Sequence, residues 1–148
     1  MALHWKLTID AEDPLAQTEF WSAVLGYEIE DHSDLIRRLT EQGLLTEGLT
    51  TRAYGREVWR ELAAVRHPDD PVDENGICHG RRLLFQRVPE AKTVKNRLHL
   101  DLHVGPERRE AEVARLEKLG AKVLHRHNQP MGTWTIMADP EGNEFCVE

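Results

Sequence analysis

His99, Asp101 and His103 occupy every second position, with Leu100 and Leu102 between them. Alternate residues of a strand share one face, so an imidazole and a carboxylate would sit side by side. Imidazole titrates near neutrality and can move a proton, and a neighbouring carboxylate can orient it. Lys6, Thr8 and Asp10 alternate with Leu7 and Ile9 in the same way. His99 and His103 lie about 13 Å apart along a strand, too far to share one ion. His125 and His127 would stand about 7 Å apart on one face. On an acidic surface such a pair reads first as solvated.

Each of these residues also has a structural role available. His99 is either an acid/base or ligand-orienting group, or a histidine satisfied by Asp101 or a backbone carbonyl. Asp101 orients a histidine or forms a salt bridge with Lys6 or Arg97. Lys6 pairs with an anionic ligand or neutralises Asp101 or Asp10. Gln86 can donate and accept, yet a buried glutamine often only satisfies its neighbours. Cys146 reads as a small buried hydrophobe, since no adjacent base would lower its pKa. Trp134, with Met131 nearby, walls an aromatic ligand or packs in the core. Trp5, Trp21 and Phe20 are assigned to the helix–sheet core.

The elements that must position these groups fit one domain of 148 residues. Apolar residues make up 40% and charged residues 30%, with mean hydropathy −0.56, which is a globular composition. The apolar runs fall far short of the roughly 20 residues a membrane helix needs. The segment Met1-Ala2-Leu3-His4-Trp5-Lys6 has no apolar signal core. Net charge −7 argues against nucleic acid, and the local basic cluster Arg81-Arg82 is too small to overturn that balance. Two cysteines, Cys78 and Cys146, make no disulfide framework, so a cytoplasmic setting is expected. No Ser-His-Asp arrangement, phosphate loop or dinucleotide fingerprint is present.

Leu7 and Ile9 predict a first strand. Asp13-Pro14 predicts a helix N-cap and first turn, and Phe20, Trp21, Val24 and Leu25 give that helix an apolar face. Gly26 fits its C-cap. A short strand follows at 27–30. The order then repeats: a strand with Leu98, Leu100, Leu102 and Val104, a break at Gly105-Pro106, a helix ending at Leu119-Gly120, and a strand from Ala121. Arg82–Val88 closes the first copy as a strand. In the second, Thr133–Ala138 leads through the Asp139-Pro140-Glu141-Gly142 turn to Phe145-Cys146-Val147. Between the common parts, Ser33 caps a short predicted helix, 56–66 is strand or helix, and 67–76 is a polar loop.

Four segments carry a resemblance to a known family: 7–14 with Asp13-Pro14, 20–27 with Leu25-Gly26-Tyr27, 84–101 with His99-Leu100-Asp101, and 138–147 with Asp139-Pro140-Glu141-Gly142-Asn143. In order and spacing they resemble the vicinal oxygen chelate superfamily, in its glyoxalase-like group that includes bleomycin-resistance-type proteins. The resemblance implies an α+β fold of two βαβββ modules in a single domain, 1–148. Module one would be about 1–90 with an inserted segment at about 33–80, and module two about 95–148. Their sheets would curve into a cup for a small molecule, often with a divalent metal, and the helices would pack outside. Leu7, Ile9, Leu100 and Leu102 would face the helices. Lys6, Thr8, Asp10, His99, Asp101 and His103 would face the cup.

Metal-dependent members of the family use about four ligands, from the first and last strands of each module. Here His99 stands at one such position, Gln86 near another, and Cys146 where glutamate is usual. Lys6 occupies the fourth, with His4 two residues earlier on the same face, and an ammonium repels a cation. The full quartet is therefore not expected. If an ion is held, His99, Gln86 and Cys146 would hold it, as zinc, iron, nickel or manganese. His99 and Asp101 are the expected catalytic pair. Lys6, Thr8, Gln86, His103, Trp134 and Cys146 are the expected ligand-binding set.

Three functions follow: a metal-free binding protein of the drug-sequestering kind, a metal-dependent lyase, isomerase or dioxygenase, and a metal-independent acid/base enzyme. The expected partner is a small molecule, not nucleic acid or membrane, and a homodimer is compatible with the family.

Overall fold

The structure is a computed structural model describing residues 1–3 and 5–148; His4, placed above beside Lys6, lies outside the described residues. The chain divides into two compact units, Met1–Pro89 and Glu90–Glu148.

The first unit runs β1 (Leu7–Ala11), α1 (Pro14–Leu25), β2 (Glu28–Ile29), α2 (Ser33–Glu41), β3 (Thr50–Ala53), β4 (Arg56–Trp59), β5 (Leu62–Arg66) and β6 (Arg82–Arg87). Its main sheet has the order β1-β6-β5-β2, with β1 parallel to β6 and the other pairs antiparallel. Helix α1 starts where Asp13 accepts the amides of Leu15 and Ala16, each at 3.1 Å, with Pro14 in the first turn. It stops at Gly26, whose φ of 65° an L-residue adopts only with strain. Phe20, Trp21 and Val24 are buried, as are Ala63, Val65, Leu83 and Phe85 of the central strands. Leu7 and Ile9 pair with Leu83 and Phe85, while Thr8 and Asp10 stay exposed.

Two expectations need correction here, and one open alternative is resolved. Trp5 is 83% exposed and no part of the core. It precedes β1 and has no paired strand to hold it inward. Ser33 is the first residue of α2, not its cap. Asp31 takes the capping role, accepting the Ser33 amide at 2.9 Å and its hydroxyl at 2.6 Å. The stretch 56–66 is two strands, and the second, β5, sits inside the main sheet.

Strands β3 and β4 form a separate hairpin across Tyr54-Gly55. Both residues have positive φ, 54° and 74°, as a tight hairpin turn requires. The Tyr54 hydroxyl donates to the Leu15 carbonyl at 3.1 Å and fastens the hairpin to α1. Beside it lies a buried charge cluster. Glu30 accepts Arg82 Nε and Nη2 at 2.8 Å, the Cys78 amide at 2.9 Å and meets His32 Nε2 at 2.9 Å.

The second unit runs β7 (Asp101–Leu102), α3 (Arg109–Leu119), β8 (Lys122–Gln129), β9 (Gly132–Ala138) and β10 (Glu144–Val147). Its sheet order, β7-β10-β9-β8, repeats that of the first unit, with the first strand again parallel to the last. The fold is thus α+β, each unit a βαβββ module. Val113 and Leu116 of α3 pack inward with Met137, Phe145 and Val147. The strand expected over 98–104 is shorter. Its ladder spans Leu100 to Val104, through bonds to Cys146 and Glu148. Leu98 lies beyond the end of β10 and is 79% exposed.

Candidate functional site

Strand register gathers the chemistry of the second unit on one sheet face. Asp101 pairs with Cys146, Cys146 with Ile136, and Ile136 with His125. Residues directly opposite one another project to the same side, so these four form a row. Trp134 and His127 form the next row on β9 and β8. His99 and His103 flank Asp101 at alternate positions. An open cavity of about 820 Å3 lies against this face, lined by His99, Asp101, His103, Trp134, Ile136 and Cys146 among others. That volume is in the range of small-molecule sites.

His99 Nδ1 lies 2.8 Å from Asp101 Oδ1. An ionised carboxylate only accepts, so the Nδ1 proton belongs to this bond and Nε2 is left to accept a proton or coordinate an ion. Burial pushes the Cys146 thiol up to about 11, and the negative charge and hydrogen-bond acceptance of Asp101 add to the effect. Cys146 therefore rests as a protonated thiol donating to Asp101. His103 Nδ1 meets Glu148 Oε1 at 2.6 Å. The Asp139 carboxylate accepts the amides of Glu141 and Asn143, each at 2.9 Å, and thereby shapes the turn that delivers β10 and Cys146.

His99, Asp101 and Cys146 place one ligand atom each within 4.8 Å of one another. Imidazole, carboxylate and thiolate are a donor set that fits zinc or iron. Asp101 joins His99 and Cys146 in this group, and Gln86, the expected third ligand, is an exposed residue of β6 in the first unit. Thr8 is likewise exposed on β1. Lys6 lines a different cavity, about 500 Å3, with Trp5, His79 and Arg82.

Trp134 is half-buried, lines the cavity and stacks on His127, with ring centroids 4.9 Å apart and planes 17° apart. His125 meets His127 edge-on at 4.5 Å. The sequence reading took the His125–His127 pair as solvated, and it missed Lys95 and Arg109. Pairing β8 with β9 across Gln129–Gly132 would have placed His127 beside Trp134. Nothing in the local sequence marks Lys95 or Arg109 as cavity residues.

Two βαβββ modules with an open cavity on a sheet face define a vicinal oxygen chelate protein. The family described as glyoxalase-like domain matches residues 6–148, and this chain belongs to it. No curated protein matches the sequence. Among solved structures, the fosfomycin resistance protein FosX from Mesorhizobium loti aligns at TM-score 0.62 and 12% identity, covering 100% of this chain and 91% of that one. A mutant of FosX from Listeria monocytogenes, in complex with Mn(II) and 1S,2S-dihydroxypropylphosphonic acid, aligns at TM-score 0.59 and 11% identity over 99% and 88%. Lactoylglutathione lyase from Agrobacterium tumefaciens aligns at 0.54 and 17% identity over 99% and 92%. These likenesses carry the fold. Among the described residues no helix is long and apolar enough to cross a membrane.

Proposed function

We propose that this chain binds a small organic molecule in the cavity of its second unit and moves a proton on it through His99. The observation that carries the reading is the His99–Asp101 pair, 2.8 Å apart at the wall of a cavity of about 820 Å3. Asp101 holds Nδ1, and Nε2 takes the proton from the bound molecule or returns it. His103, Trp134 and Cys146 complete the wall. Lys6, Thr8 and Gln86 belong to the ligand set only if the first unit also contributes. The family match runs through both units, which supports reading 1–148 as one domain. The test is a small-molecule screen by thermal shift, with binders carried to turnover. His99→Ala should keep binding within about threefold and lose about a hundredfold in turnover, the scale of a general acid or base. Unchanged turnover would refute the role of His99.

A second reading has its own observation, the three donor atoms within 4.8 Å. Bound zinc or iron would be held by His99, Asp101 and Cys146 and would supply a Lewis acid for an oxygen of the ligand. Manganese, which prefers oxygen donors, suits this set less. Elemental analysis of freshly purified protein, with and without chelator, separates the readings. A chain with neither metal nor turnover that still binds drug-like molecules would be a sequestering protein. For the homodimer, sedimentation at about 17 kDa would exclude it.

A further inference from the structure

The charged groups lining the second unit's cavity are unevenly satisfied. Its carboxylates all have partners. Asp101 meets His99 and Cys146, Glu148 meets His103, and Glu144 takes Lys92 Nζ at 3.1 Å and the Asn96 amide at 2.9 Å. Its long cations do not. Lys95 reaches only the Asn96 carbonyl, at 3.5 Å. Arg109 is half-buried, makes no side-chain hydrogen bond or ion pair among the described residues, and its Nε is buried without a partner. Nε is closed off from the cavity, so it is the terminal Nη groups of this unpaired guanidinium that can take acceptors from a bound ligand.

Arg109 and Trp134 both line this cavity, and backbone pairing links the segments that carry them. The Arg109 amide bonds the Gly105 carbonyl at 3.1 Å, and the Gly105 amide bonds the Glu148 carbonyl oxygen at 3.0 Å. Across the sheet, Val147 pairs with Thr135, which brings Trp134 beside Glu148. One face of the Trp134 ring is covered by His127. Guanidinium groups bind carboxylates through paired N–H donors, and flat apolar groups stack on indole.

We propose that this cavity takes a flat aromatic carboxylic acid, its carboxylate bound by Arg109 and its ring system laid against Trp134. The proposal rests on the reading of this cavity as the ligand site and adds the chemical class of the ligand. The ligand acid stays ionised at neutral pH, so it supplies acceptors to a cation that has none.

The experiment titrates 15N-labelled protein with 2-naphthoate and, separately, with the neutral isostere 2-naphthamide. The indole N–H signal of Trp134 is assigned by Trp134→Phe. Naphthoate should shift that signal and bind about tenfold more tightly than the amide, as a charge-assisted pair would. Arg109→Gln should weaken naphthoate about tenfold, leave the amide unchanged, and keep the unliganded spectrum, which shows the variant is folded. Equal binding of acid and amide, or no effect of Arg109→Gln on naphthoate, would overturn the anion assignment while leaving the cavity a ligand site. If neither probe moves the Trp134 signal, this inference falls, while the small-molecule screen still tests the cavity as a ligand site.

Discussion

Asp101 stands between His99 and Cys146: its carboxylate takes His99 Nδ1 at 2.8 Å and also accepts from the Cys146 thiol. One acid thus restrains two groups of different chemistry. It fixes the imidazole tautomer, and it keeps the thiol protonated.

The restraint on Cys146 is measurable in the metal-free protein. Burial and the Asp101 charge lift the thiol to about 11, so little thiolate exists near neutrality. Alkylation by iodoacetamide at pH 8 should be slow in the wild type. Asp101→Asn removes the charge and lowers the pKa, and each unit of lowering raises the thiolate fraction about tenfold. Cys78, at 2% exposure, contributes little to the observed rate. An Asp101→Asn rate equal to wild type would show that the carboxylate does not act on the thiol.

On the metal-dependent reading, zinc uptake depends on the same three residues. Calorimetric titration is expected to give one ion per chain, with proton release from the thiol. Cys146→Ser should weaken uptake at least about tenfold, since a hydroxyl does not replace thiolate as a zinc ligand. Stoichiometric zinc that survives Cys146→Ser would place the ion elsewhere.

Acid stability should hinge on Glu30. Burial pushes its carboxyl up, but hydrogen bonds from His32, Arg82 and the Cys78 amide outweigh this and hold it below the usual range. A depressed folded-state pKa gives stability that is present above the unfolded value and is lost as pH falls through the folded one. Urea melts should show wild-type stability dropping below about pH 4 and a flatter profile for Glu30→Gln. Glu30→Ala leaves Arg82 charged and unpaired in a 7% exposed position and should cost about 3–5 kcal/mol at pH 7.

The turn before β10 should be a stability determinant of the second unit. Asp139 is 3% exposed and accepts two backbone amides. Asp139→Ala strands those amides and should destabilise by about 1–3 kcal/mol in chemical denaturation. Zinc or ligand affinity should fall with it, because the turn sets the position of Cys146.

The sequence made the scaffold readable because local rules determine it. Asp13-Pro14 and Gly26 bound α1 by capping chemistry alone, and the strand–helix–strand order repeated visibly around Leu25-Gly26 and Leu119-Gly120. His99, Asp101 and Cys146 were legible as individual positions, but their union depends on the parallel pairing of β7 with β10, which no local spacing encodes. Gln86 is an exposed donor of the first unit, on β6. Trp5 was misplaced because an aromatic side chain carries no sign of whether a strand will pair beside it. The Tyr54-Gly55 turn was hard to read, because two-residue hairpin turns favour Asn-Gly or Asp-Gly and a tyrosine rarely takes the positive φ seen here. The Glu30–Arg82 cluster and Arg109 owe their roles to burial between elements remote in sequence.

The most direct test of the central claim is a histidine map of ligand binding. Protein with 13C-labelled imidazoles, assigned by single substitutions, would be titrated with a library of small aromatic acids and amides. The account predicts that binders shift the ring signals of His99, His103 and His127 together, all on the sheet face of the second unit, and leave His79 and His32 in place. Binders that shift His79, which lines the cavity beside Trp5 and Lys6, while His99 stays unmoved would contradict it.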